Sequence, residues 1–230
     1  MNILFVTVGT TALYNPDVGR APDGTRDNRA LRADVERYRN VSDKRPERWA
    51  DLKTRLVEAH RQYWTVANAN YWKDQKRFRE TSAELTSSHF LIASLNLKFE
   101  KTVLLVSDTD DGRMAGDINR RVMEESLGWR GVSIQDVRTL DKDFVDPAPA
   151  LRAALAESRL AKEDRVAFNM TGGFKGTVIT LALLAAEENW EIYYQHESLA
   201  GVSCLTPPRA DEGTVARLSG RIVRCYSWPK

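Results

Sequence analysis

Cysteine is scarce: only Cys204 and Cys225 occur among 230 residues. They have neither the spacing of a zinc site nor the density of a disulfide framework, so both are expected to be reduced and structural. Histidine is as sparse, at three, and the chain shows no His/Asp/Glu cluster with metal-ligand spacing, so neither a metal nor a cofactor is expected. No apolar run approaches the roughly 20 residues that span a bilayer. The opening residues MNILFVTV lack a basic leader and a small-residue cleavage site. They read as a first strand rather than a signal peptide, which makes the cytoplasm the expected compartment. The net charge is only +2. That balance does not announce a binder of DNA or long RNA, and any anionic ligand must be met by local positive charge. Two nucleotide fingerprints are also missing. Gly9 stands alone after the first strand, without the Gly-x-Gly-x-x-Gly spacing, and Phe174 separates the Gly172-Gly173 pair from Lys175, unlike a phosphate loop. NAD binding and ATP hydrolysis are disfavoured on those grounds.

What is present is a strand–helix alternation. Ile3–Val8, Thr102–Ser107, Val132–Val137, Arg165–Asn169 and Glu191–Gln195 are short β-branched or aromatic runs bounded by turn residues. Helical patterns at Arg113–Ser126, Ala148–Leu160 and Lys175–Asn189 lie between or after them, the second opening on an Asp146-Pro147 cap. This order predicts an α/β fold, a Rossmann-like, mostly parallel sheet with helices on both faces. Val202–Leu205 is expected to continue a hairpin from the fifth strand, and the tail Arg221–Trp228 to add an edge strand. Residues 1–230 are expected to form a single domain. Between about Asn28 and Lys98 no strand is evident, and the stretch is far longer than an ordinary βα connection of roughly 2–6 residues. It predicts an inserted helical hairpin with a further helix ending near Leu97, beside the binding edge. Trp49, Trp64 and Trp72 fall in this insertion, where core packing is favoured over stacking on a base.

In such a sheet, ligands bind beyond the carboxyl ends of the strands. The residues there are Gly9, Thr10 and Thr11 after the first strand, Thr109 and Arg113 after the second, Asn169, Thr171, Gly172, Gly173, Phe174 and Lys175 after the fourth, and His196 after the fifth. The Gly172-Gly173 turn allows close backbone approach to a phosphate and permits positive φ. The helix that follows offers free N–H groups. Lys175 in its first turn is unfavourable for the helix dipole, which makes more sense if an anion sits between them. The alternative is a tight turn whose lysine merely faces solvent.

Taken together, VGTTAL, SDTDDGRMA, NMTGGFKG and YYQHE, with Ser82-Ala83-Glu84-Leu85 late in the insertion, resemble the CRISPR-associated Rossmann-fold (CARF) family, and within it the stand-alone ring nucleases. The resemblance implies a homodimer holding a cyclic oligoadenylate, most simply cyclic tetra-adenylate, across its two-fold axis. It implies metal-independent attack of a ribose 2′-hydroxyl on its own 3′-phosphate. Lys175, Thr11 and Thr10 would be catalytic, and Gly9, Thr109, Arg113, Asn169, Thr171, Gly172, Gly173, Phe174 and His196 would bind the ligand. Thr11 stands where relatives often have serine, and Met114 where a second basic residue is common. A sensor that holds the same ligand and acts through a partner protein is the competing reading. A chain with no effector domain of its own favours the enzyme. Further alternatives attach to single residues. His196 is either an acid–base group or a satisfied structural one. Asp108, Asp110 and Asp111 suit a helix cap better than a metal. Arg55 and His60 match an Arg-x-x-x-x-His ribonuclease pattern that chance also explains.

Overall fold

A computed structural model of the protein describes residues 1–15, 28–45, 47–70, 82–95, 97–137, 149, 152–153, 156, 164–173, 175–195, 201–205 and 222–227. In chain order the elements are β1 (Asn2–Thr7), α1 (Thr11–Tyr14), α2 (Arg29–Asn40), α3 (Ala50–Asn70), α4 (Ala83–Leu95), β2 (Lys101–Ser107) and α5 (Asp110–Glu125), followed by β3 (Val132–Val137), β4 (Arg165–Asn169), α6 (Lys175–Glu187), β5 (Glu191–Tyr194), β6 (Gly201–Leu205) and β7 (Ile222–Ser227). The helix expected at Ala148–Leu160 falls largely outside the described residues, as do Phe174, His196 and Trp72.

Among the described residues the sheet has seven strands in the order β3-β2-β1-β4-β5-β6-β7. β1 pairs in parallel with both β2 and β4, and β3 and β5 extend the parallel array on either side. β6 and β7 then add antiparallel edges. The fold is thus the Rossmann-like α/β class expected, with the tail strand seen at the edge. The chain builds outward from β1 through β2 to β3, then returns to add β4 on the other side of β1. The strand order therefore reverses between β1 and β4, the place where crossovers leave in opposite directions and a crevice opens at the carboxyl ends.

Side-chain alternation along the central strands divides the core in two. Leu4, Val6, Val8, Leu104 and Val106 join the buried faces of α1 to α5, including Leu31, Leu56, Trp64, Leu85 and Ile118. Ile3, Phe5, Val103, Leu105 and Phe168 face the opposite side, where Leu181 and Ala185 of α6 cover them. Phe5 and Phe168 stack at 5.0 Å between centroids on adjacent strands. The described helices of the long connection lie on the first face, and α4 reaches the ends of β1 and β4. Its sequence, AELTSSHFLIASL, has almost no polar face. Leu85, Phe90 and Leu91 are buried, and so are Glu84, Thr86, Ser87 and Ser88. Such polar residues inside a core need partners, and α4 finds them at the crevice.

Helix α5 begins three residues before the expected Arg113. Thr109 caps it, its Oγ1 accepting from the Gly112 amide at 3.1 Å, and Asp110 and Asp111 occupy the favourable first turn. The acidic run after β2 is therefore a cap. Trp64 is fully buried and Trp49 packs edge-on to Tyr38 at 5.1 Å, in line with core packing.

Candidate functional site

The crevice is built from two loops and one inserted helix. At the end of β1, Thr7 Oγ1 donates to the Gly172 carbonyl and lies 3.3 Å from that of Asn169. It ties the β1 end to the β4 turn. Gly173 has φ of +99° and a Cβ there would come within 3.0 Å of the Thr7 Cβ, so both conformation and space require glycine. Gly172 is a glycine for a different reason. A Cβ at this position would fall 1.9 Å from Glu84 Oε1. The space a side chain would take is already filled by a carboxylate from α4.

Glu84 is fully buried. Its Oε1 accepts from the Gly9 amide at 2.7 Å, and its Oε2 from Thr11 Oγ1 and Ser82 Oγ at 2.8 Å each. Ser82 Oγ is also 2.8 Å from Asn119 Oδ1 on α5, and Thr11 Oγ1 accepts from the Ala83 amide at 3.2 Å. One carboxylate thus joins the β1 loop, the start of α1 and the β4 turn. This residue is not among those picked out by position at the strand ends. A lone acid within an apolar 13-residue helix was the available signal, because a buried charge must have a polar destination.

Asn169 works from beneath the turn. It is fully buried, its Nδ2 donates to Ser87 Oγ and Ser88 Oγ at 2.7 Å each, and its Oδ1 accepts from the Thr171 hydroxyl at 2.7 Å and amide at 3.2 Å. Thr171 Oγ1 accepts in turn from the Gln195 amide at the end of β5. These bonds shape the turn rather than face outward. Among the described residues the crevice surface includes Thr10, exposed and without a side-chain cap bond, the half-buried Thr11, and Lys175, exposed at the first position of α6. Among the described residues Lys175 has no carboxylate partner. Lys44, Lys53, Arg113, Arg120 and Arg165 are all paired, with Asp111, Asp117, Asp136, Asp117 and Glu191 respectively.

Arg113 stands apart from this group. Its guanidinium is held by Asp136 on β3, at 3.0 and 3.2 Å. It lines a separate pocket of about 300 Å³ with Tyr38, Trp49, Lys44 and Lys53, between α2, α3 and α5. Asp136, which holds it, lies on β3, three strands away from β4 in the sheet order. Thr109 is likewise engaged as the α5 cap, with Ser107 Oγ 2.8 Å away. The Arg55/His60 pair does not assemble either. His60 is fully buried and its Nε2 donates to the Ala12 carbonyl at 2.7 Å, whereas Arg55 pairs with Asp34 and Asp51.

Among the described residues no group of three or more His, Cys, Asp or Glu is placed to hold a metal ion, and no helix is long and apolar enough to cross a membrane. The arrangement offers a turn of glycine amides, a helix N-terminus and an ammonium with no carboxylate partner among the described residues, a combination suited to an anionic ligand. Residues 79–207, over half of the chain, match a protein family described as CRISPR-associated protein (Cas_APE2256). The matched region takes in α4 with Glu84, the β4 turn and Lys175, and leaves out β1 with Thr10 and Thr11. Among curated proteins there is no match to the chain.

Proposed function

The chain belongs to this CRISPR-associated family, a CARF-type family, and from that membership and the crevice between β1 and β4 we propose that it is a ring nuclease for cyclic oligoadenylate, most simply cyclic tetra-adenylate. The single observation that carries the reading is Lys175: exposed, free of a carboxylate among the described residues, and set beside the positive-φ Gly173 at the start of α6. A phosphodiester seated there meets backbone N–H groups and a full positive charge together. A ribose 2′-oxygen attacks the adjacent phosphorus. The P–O2′ bond forms as the 2′-hydroxyl gives up its proton to solvent, the P–O5′ bond breaks, the 5′-oxygen takes a proton from solvent, and a linear product with a 2′,3′-cyclic phosphate and a 5′-hydroxyl remains. Charge grows on the phosphoryl oxygens along the way, so Lys175 stabilises the transition state more than the ground state, the condition for raising the chemical rate. Thr10 and Thr11 flank the ligand on the β1 side and orient the nucleophile. A ring with two-fold symmetry suits a homodimer in which each copy contributes one turn and one lysine. Ile179 and Leu183, exposed one and two turns beyond Lys175, form an apolar stripe available for that pairing. Removing the messenger would switch off the CRISPR signal.

The test is incubation of the pure protein with cyclic tetra- and hexa-adenylate in EDTA, with products resolved by mass. Linear fragments carrying a cyclic phosphate are expected. Tight binding with the ring left intact would replace the enzyme by a sensor that acts through a partner.

A further inference from the structure

Glu84 occupies the crevice without any direct role in the chemistry above. We propose that it is a positioning residue, which fixes the direction of the Thr11 hydroxyl so that Thr11 Oγ1 meets the ligand only as a hydrogen-bond acceptor; the inference rests on the ring-nuclease reading.

A threonine hydroxyl has one proton and two acceptor sites. In this crevice the proton goes to Glu84 Oε2 at 2.8 Å, and one acceptor site takes the Ala83 amide at 3.2 Å. One acceptor site is left. A carboxylate cannot return a proton to this bond, so the direction is set as long as Glu84 stays in place. It is held firmly: fully buried, with the Gly9 amide on its other oxygen and no room for a side chain at Gly172. A ribose 2′-hydroxyl reaching Thr11 must therefore donate to it. That bond orients the 2′-oxygen and turns its remaining lone pairs away from Thr11, as attack on the neighbouring phosphorus requires. Charge on Glu84 also polarises the Thr11 oxygen and strengthens it as an acceptor.

Glu84→Gln tests this directly. The amide keeps the shape, and its oxygen can still accept from Gly9. Its nitrogen then faces Thr11 and donates, which frees the threonine proton to point at the ligand and reverses the bond. The expected result is affinity for cyclic tetra-adenylate within about threefold of wild type, with single-turnover cleavage slower by about 10–100-fold, the scale of a misplaced nucleophile. Because Glu84 acts through Thr11, the double variant Glu84→Gln/Thr11→Ala should cleave no more than about twofold slower than Thr11→Ala alone. Wild type should also prefer the ribose ring over a ring made 2′-fluoro at the attacking positions, a group that can accept but not donate, and Glu84→Gln should erase that preference. Should Glu84→Gln fail to fold, Thr11→Val must erase the preference and Thr11→Ser keep it. Wild-type cleavage by Glu84→Gln, or losses that multiply in the double variant, would overturn the proposal and leave Glu84 a structural strut. A wild-type protein that binds the ring without cleaving it would overturn the nuclease reading instead, and the ribose preference would still decide the case of Glu84.

Discussion

Replacing Gly172 by alanine separates packing from chemistry at the crevice. The added Cβ would lie 1.9 Å from Glu84 Oε1 and 2.6 Å from its carboxyl carbon. No real Cβ makes such contacts, so the carboxylate has to move. It is held by donors at 2.7, 2.8 and 2.8 Å, and losing a hydrogen bond to a charged group costs about 1.5–3 kcal/mol. Overpacking adds about 1–3 kcal/mol. The expected loss is about 3–5 kcal/mol, a large part of the roughly 5–15 kcal/mol that holds a domain together. At about 2–4 °C per kcal/mol for a chain of this size, the Tm falls by about 6–20 °C. Urea titration followed by tryptophan fluorescence measures the difference. The decisive comparison repeats it in a Glu84→Ala background, where the obstruction is gone and Gly172→Ala should cost under about 1 kcal/mol. An equal cost in both backgrounds, or a Gly172→Ala protein within about 0.5 kcal/mol of wild type, would refute the reasoning.

Lys175→Ala should slow single-turnover cleavage by about 10²–10³-fold, the effect of losing one electrostatic stabiliser, while binding weakens less; a wild-type rate at saturating protein would rule out the mechanism. Arg113→Ala should change ring affinity by less than about threefold, because the side chain is engaged by Asp136 on β3; a tenfold loss in titration would bring that pocket into the site. Light scattering should show a dimer that Ile179→Glu/Leu183→Glu converts to a monomer, and a monomeric wild type with and without ligand would contradict the two-fold arrangement. Stability should fall as the pH drops below about 6.5. Burial lowers the pKa of both His60 and His89, the latter from 6.5 to about 4, so the unfolded chain binds more protons than the folded one as the pH falls below 6.5. From pH 7 to pH 5 the His89 shift alone should cost about 2 kcal/mol. Urea midpoints at the two pH values test this, and His89→Gln should flatten the slope.

The fold was legible because its signals are local. The five parallel strands lie within a residue or two of the β-branched runs that predict them, and the Gly172-Gly173 turn and the start of α6 at Lys175 fall where the glycine pair and the apolar helix place them. The crevice was legible only in part. The glycine pair points to close backbone approach, and the structure adds a second reason for Gly172, since the space beside it is filled by Glu84. That contact comes from a helix far earlier in the chain, and periodicity carries no record of it. Arg113 follows a strand end, but the acid that orients it, Asp136, lies on the next strand, a pairing that spacing does not reveal. Asn169 and Thr171 sit at the right strand end, but their hydrogen bonds run inward to Ser87, Ser88 and Gln195.

The bonds that close the crevice also bear on when it forms. Gly9 and Glu84 are 75 positions apart, Asn169 and Ser87 82, and Thr7 and Gly172 165. Each therefore closes a long loop, whose entropy must be overcome before the contact contributes anything. Strand pairing of β1 with β4 has to precede the turn, and docking of α4 has to precede the carboxylate. The crevice is thus expected among the last parts to become ordered during folding, after the sheet that carries it. Read in the opposite direction, undocking of α4 alone would release the Gly9 amide while the central strands stay paired. In hydrogen exchange the Gly9 amide should then open at a lower free energy than the β1 amides a few residues before it.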